Sequence, residues 1–361
     1  RFFLTSGRLF GRPLRTSALT AVDLTHERNT WKLFPLIAGL LNSRLVNGRF
    51  HFQVLATPFR MFAEGAICPI FEEFESSRRL MACDIEDVDA RRRTMATDAF
   101  GNLFVREWHD AGAVSTFNRD LDALTVERCP VTEWQGETFG AILRRLREFQ
   151  SHHREAARSP AEAEALAAFP NPIEREGAFL LHLVRRYDRE LRWWFTVAND
   201  RPEILEKLLF HRHMLPGFND SGAHLINLAF FDGNLLTLQV AQRHSIERVA
   251  LAVRRLTREP AEFFGVDAGR LEPGAQADLV LVNPEALSRY DTDANRRMVY
   301  RDIFEHQQLV NRSDGVVTGV FIAGEQVWDG REFTAALGTR PLGRPLTAGP
   351  AAAAAEAARV A

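Results

Sequence analysis

Apolar and polar positions change rhythm several times along this chain. RPLRTSALTAV, residues 12–22, reads as a strand, and the apolar residues of NTWKLFPLIAGLLNSRL, residues 29–45, recur at helical spacing. FHFQVLA, residues 50–56, reads as a second strand ending before Pro58. Strand, helix, strand in that order predicts a parallel βα unit. Residues 70–120, with the charged run DIEDVDARRRT, predict helices with solvated faces. LDALTVERCP, residues 121–130, reads as a third strand, and WQGETFGAILRRLREFQ after it places Phe139, Ile142, Leu143 and Leu146 on one helical face. Helical patterns are expected over roughly 139–157 and 173–212, and MLPGFND, ending at Asp220, is a fourth strand candidate. Four such units fit part of an α/β barrel, although an open parallel sheet reads the same locally.

After Ser245 the pattern changes. ERVALAVRRLTREPAEFFG predicts an amphipathic helix stopped by Gly265, and from Gly269 onward short strands take over. LEPGAQADLVLVN has a Pro-Gly turn before a strand, and VVTGVFIAGEQVWDG predicts two strands joined at Ala323-Gly324. The predicted organisation is a barrel-type α/β part over 1–265, a small β-rich, sandwich-like domain over 266–340 and an Ala-rich disordered tail over 341–361.

Composition narrows the partners. At 361 residues and 46% hydrophobic content the chain has the makings of a globular core, and a net charge of −2 supplies no field for nucleic acid or an anionic membrane. Three cysteines, Cys68, Cys83 and Cys129, form no CxxC pair, which points to a reducing, cytoplasmic setting. No apolar run reaches the length of a membrane span. The expected partner is a small molecule; oligomeric state is left open.

Three passages carry a family resemblance. Pro216-Gly217-Phe218-Asn219-Asp220-Ser221-Gly222-Ala223-His224 is similar to a strand ending in Ser-Asp-Gly-Gly-Ala-His, residues 256–287 resemble a helix leading into a returning β-domain, and VTGVFIAGEQVWDGREF resembles its last strands. Together they resemble amidohydrolase family three, the group of D-aminoacylase and N-acyl-D-amino-acid deacylases. The resemblance implies the later strands, fifth to eighth, of a metal-dependent (β/α) barrel followed by the β-rich domain. It implies an upstream His-x-His after the first barrel strand, so the chain is expected to be the C-terminal part of such an enzyme. It further implies zinc, one or two ions held mostly by residues outside this chain, and an N-acyl small molecule as substrate.

Asp220 ends its strand where a carboxylate can bind metal and move a proton, so the resemblance makes it the catalytic residue and a metal ligand. As an alternative it caps the next helix. His224, four residues on, shares a helical face with Asp220 if a helix starts there, and borders the pocket with Ser221 and Gly222 as substrate-binding or supporting residues. Gly217 and Gly222 are expected to let the backbone turn tightly. His51, on one face of its strand with Gln53 and Leu55, is a further candidate metal ligand or else a structural histidine. The chain departs from the family at Ala18, where a histidine ligand is usual, and at Gln53 and Leu55, where an Asp-x-Tyr pattern is usual. Arg60 and Arg243 stand in for the family's carboxylate-binding arginine, or are surface charges.

Other constellations have structural readings. His211-Arg212-His213 reads as a cationic pair at a helix end, and Trp193-Trp194-Phe195 as part of a buried helix. In Glu107-Trp108-His109-Asp110 and His152-His153, neighbouring residues point different ways. The function that follows is hydrolysis of an amide C–N bond with Asp220 as proton carrier. The alternatives are a non-catalytic relative that binds a ligand, and a cyclic amidohydrolase acting on a hydantoin-like or lactam ring.

Overall fold

The computed structural model describes residues 15–69, 71, 74–110, 119–151 and 153–348. The beginning of the first expected strand (12–14), His152 and the tail beyond 348 lie outside them. The architecture is mixed α/β, as expected, in two compact units: one of residues up to 57, 199–223 and from 229 on, the other of 58–198 and 224–228.

In the first unit, β1 (Arg15–Ala18), β2 (Arg49–Val54) and β6 (Met214–Pro216) form a parallel sheet in the order β1-β2-β6. These are three of the four strands anticipated, joined in parallel as the βα pattern requires. Along β2, Phe50, Phe52 and Val54 are buried while Arg49, His51 and Gln53 are only partly so. The buried face packs on α1 (Leu33–Leu41) and α8 (Pro202–Leu209) through Ala38, Leu41, Ile204, Leu208 and Leu209. Further on come α9 (Gly233–Gln242), α10 (Ile246–Leu256) and α11 (Arg258–Phe264). The single helix expected over 247–265 is thus two, and Gly265 ends the second in the left-handed conformation (φ +71°). Arg255 is buried there and spends its guanidinium on the carbonyls of Leu209 (3.1 Å), His211 (2.9 Å) and Met214.

Residues 266–340 hold the expected short strands. β7 (Leu279–Val282), β10 (Val317–Ile322) and β11 (Glu325–Trp328) make an antiparallel sheet, and β8 (Arg296–Arg301) pairs with β9 (His306–Asn311). The β10–β11 turn is Ala323-Gly324, both with positive φ (+52° and +83°), the primed geometry that suits a two-residue hairpin. Residues 341–348, assigned to a tail, have no regular secondary structure.

The second unit corrects two readings. β4 (Thr125–Arg128) is not a parallel barrel strand but pairs antiparallel with β5 (Arg192–Ala198), which also pairs antiparallel with β3 (Phe59–Glu64). Trp193-Trp194-Phe195 is strand, not helix: Trp193 and Phe195 are buried and Trp194 between them is partly exposed, the period of two that a pleat imposes. Helices α2 (Glu75–Met81), α3 (Val88–Ala96) and α4 (Asp98–His109) occupy the region expected to be helical. They are followed by α5 (Phe139–Gln150), α6 (Pro160–Ala167) and α7 (Glu176–Tyr187). Trp193 packs with Phe71 (6.0 Å between centroids) and Phe139 (5.5 Å) at the centre of an aromatic core. Buried charges there are paired: Arg91 Nη2 with Asp188 at 2.8 Å, and Arg192 with Glu64 (3.1 Å) and Glu127 (2.6 Å).

Candidate active site

Parallel strands leave backbone groups and loops at their C-terminal ends, where α/β folds place ligands. In the first unit, β2 and β6 end beside a small cleft of about 160 Å³, lined among others by Ala56, Gly217, Phe218, Asn219, Phe230 and Phe231. The loop after β6 is tied back to β2, for Gly217 N–H donates to the Val54 carbonyl at 3.2 Å. Gly217 sits at φ +136°, so a glycine is needed there, in line with expectation. Gly222 has ordinary φ, and an added Cβ would meet nothing within 4 Å, so its backbone does not require glycine.

Asp220 follows directly on Asn219 in this loop and is partly exposed. Residues 221–227 form turns rather than a helix, and the next helix, α9, begins only at Gly233. The helical face expected to join Asp220 and His224 is therefore absent, and so is the helix that Asp220 was to cap as the alternative. Ser221 is fully buried and braces the loop: its Oγ accepts from Phe230 N–H at 2.7 Å, while its own N–H donates to Asn219 Oδ1 at 3.0 Å. It positions the loop from within. His224 is partly buried in the segment 224–228 of the other unit, where its carbonyl accepts from Asn227 and Leu228 N–H, both at 3.2 Å.

His51 lies on the less buried face of β2, its ring edge-on to Phe263 at 4.5 Å and 6.1 Å from that of His213. Burial, helped by His213 and Arg255, pushes its pKa down to about 4, so the ring is neutral at pH 7; among the described residues its buried Nδ1 has no hydrogen-bond partner. His213 is likewise pushed down to about 4, first by burial and then by Arg212, and His211 is lowered too. The cationic reading of this pair is therefore wrong: a half-buried imidazole beside arginines stays neutral. His211 Nδ1 instead accepts from His213 N–H at 3.3 Å. Gln53 donates to Ser17 Oγ at 3.2 Å. Leu55 is fully buried. Arg60 lies over the Trp194 ring at 4.9 Å, and Arg243 is exposed with Gln239 Oε1 at 3.5 Å.

Among the described residues, no group of three or more His, Cys, Asp or Glu side chains is placed to hold a metal ion. Asp220 and His51 are thus not joined by a third such side chain into a ligand set.

Two carboxylates escaped the sequence reading. Asp23, fully buried, is held by Arg201 Nε at 2.6 Å, and its backbone N–H donates to Asn199 Oδ1 at 3.0 Å. It follows β1 as Asp220 follows β6, so the same strand-end argument applies to it. Asp232 is buried, with Oδ2 accepting from Tyr290 O–H at 2.8 Å and Oδ1 unpartnered among the described residues. Burial raises the pKa of both Asp232 and Tyr290. Only the tertiary contact with Tyr290, 58 positions away, marks Asp232 out.

Residues 219–327 match the model of the amidohydrolase family. Uncharacterized proteins of Mycobacterium tuberculosis and Mycobacterium bovis are each 32% identical to the chain over 343 residues, which is 92% of this chain and 51% of theirs. The chain therefore spans about half the length of the curated relatives it matches. A structure of D-aminoacylase, described for the functional role of its binuclear metal center, superposes with a TM-score of 0.40 at 13% identity over 94% of this chain and 51% of that one. A D-aminoacylase mutant in complex with copper chloride gives 0.39 at the same identity and coverage.

Proposed function

We propose that this chain, whose residues 219–327 match the amidohydrolase family model, is part of a hydrolase of amide C–N bonds that acts on N-acyl-D-amino acids or similar N-acyl compounds. The observation that carries the reading is the family match beginning at Asn219, one residue before Asp220, in the loop that follows a parallel strand. In this reading water adds to the acyl carbon, the C–N bond breaks, and the proton lost by water passes through the Asp220 carboxylate to the leaving nitrogen. A partly exposed carboxylate on a loop braced by Ser221 suits that shuttle, since it meets solvent without moving its backbone.

Zinc belongs to this proposal as the ion the resemblance implies. The described residues do not by themselves assemble a site for it, so the chemistry assigned to this chain is the proton transfer at Asp220. A cytoplasmic location is proposed on cysteine usage alone; among the described residues no helix is long and apolar enough to cross a membrane.

The test is Asp220→Ala in the longest natural form of the protein, assayed on N-acetyl-D-amino acids and counter-assayed on hydantoins. A loss of at least about 10²-fold in kcat, with thermal unfolding unchanged, is expected for removal of a proton carrier. Undiminished turnover removes Asp220 from the reaction, and turnover confined to cyclic amides replaces the N-acyl substrate with a ring.

A further inference from the structure

A second cleft, lined by residues of the second unit alone, has a volume of about 870 Å³. That is the size of a small-molecule site. Two helices wall it. From α4 come Asn102, Val105, Arg106 and His109, and from α7 come Leu181, His182 and Arg185, with Arg175 at the start of α7. Each set falls on one helical face, at spacings of three and four.

Its charges are unusual for this unit. Buried cations elsewhere in it are matched to carboxylates, as Arg91 is to Asp188. Arg106 and Arg175, both exposed in the cleft, have no ion pair or side-chain hydrogen bond among the described residues. Arg185 spends Nε on the Met95 carbonyl at 2.7 Å and Nη2 on the Thr97 carbonyl at 3.1 Å, both neutral acceptors. Its guanidinium fits against α4 only because Gly101 has no side chain: a Cβ there would come within 2.5 Å of Nη2.

Burial pushes His182 down to about 4, so its ring is neutral at pH 7. His109 Nε2 accepts from Gly177 N–H at 3.2 Å, which leaves the proton of a neutral ring on Nδ1. His182 stacks near Phe169, 4.0 Å between centroids. Asp98 and Asp110 also line the cleft, so with three arginines it carries one net positive charge. The rest of the lining includes apolar Val105, Leu181, Ala178 and Pro170.

We propose that this cleft binds a small organic monocarboxylate with a short apolar chain, its carboxylate neutralised by Arg106 and Arg175 and its chain laid on Val105 and Leu181. Guanidinium matches a carboxylate with paired hydrogen bonds. A single net positive charge balances one negative charge, and the two aspartates disfavour a dianion such as phosphate. This site does not depend on the hydrolase reading.

The test is calorimetric titration of the full chain with hexanoate. One saturable site per chain is expected, with hexanamide at least about tenfold weaker and inorganic phosphate failing to displace hexanoate. Arg106→Gln/Arg175→Gln should weaken hexanoate at least about tenfold, while Arg93→Gln, on α3 and outside the cleft, leaves it unchanged. Val105→Phe, which narrows the cleft and keeps both arginines, should weaken it as well. No saturable binding, hexanamide equal to hexanoate, displacement by equimolar phosphate, or undiminished binding in either the arginine or the Val105 variant overturns the proposal.

Discussion

The parallel sheet β1-β2-β6 of the first unit and the antiparallel sheet β3-β5-β4 of the second are both three-stranded, and the two manage burial in opposite ways. In the parallel sheet β1-β2-β6 one face is apolar, built on Phe50, Phe52 and Val54, while the other carries Arg49, His51 and Gln53. Its stability rests on a single apolar layer against α1 and α8. The antiparallel sheet β3-β5-β4 buries Trp193 and Phe195 and also takes Glu64 and Arg192 inside, each charge meeting an opposite one. Its stability therefore has two parts: aromatic packing, and ion pairs whose cost appears only when one partner is lost.

Two substitutions of equal size should separate these modes. Phe50→Ala empties a fully buried position and should cost about 3–5 kcal/mol in urea-induced unfolding, with no polar change able to restore it. Arg91→Ala should cost a similar ~3–5 kcal/mol, because Asp188 stays buried without its partner. Here the double variant Arg91→Met/Asp188→Asn should recover most of the loss. If it recovers none, the loss comes from the packing of Arg91 and not from an unpaired Asp188, and the contrast between the units fails.

Acid should divide the units next. His51 and His213 in the first and His182 in the second are all pushed down to about 4, chiefly by burial. Between their unfolded value, about 6.5, and 4 the unfolded chain binds more protons, so stability is full above that window and falls as pH drops through it. Hydrogen exchange should show the first unit, with more such histidines, opening more steeply with acid than the second. His51→Gln should flatten the slope of the first unit alone, and an equal slope in both units would contradict the assignment.

The smallest effect concerns Asp232. Burial raises its pKa, so a charge penalty appears as pH rises from the unfolded value through the folded one and persists at neutral pH. Asp232→Asn removes the penalty and can keep an oxygen for Tyr290 O–H. At pH 7 the variant should be as stable as the parent or more so, by up to about 1 kcal/mol, and lose any advantage below about pH 4. Destabilisation at pH 7 would show that the carboxylate is favourably ionised in place.

Much of the first unit was legible in advance. Alternation along FHFQV and helical spacing in the stretch before it are local signals, and they yield β2 and α1 within a few residues. The second unit was legible in its helices and in β4 as a strand, but not in how that strand pairs. The apolar run Trp193-Trp194-Phe195 reads locally as buried helix; it becomes strand β5 through pairing with Phe59–Glu64, more than 120 positions earlier. The site divides in the same way. Asp220 is a candidate drawn from the residues around it, whereas Asp232, the neutral state of His213 and the unmatched arginines of the α4–α7 cleft depend on burial and on distant partners.

By itself the sequence determined the elements whose hydrophobic period is complete within ten or fifteen residues and the hairpin turn at Ala323-Gly324. The tertiary structure alone decided which strands pair, which charges meet a partner and which histidines stay uncharged. Those properties are set by desolvation and by contacts across long stretches of chain, and neither is written in any local window of residues.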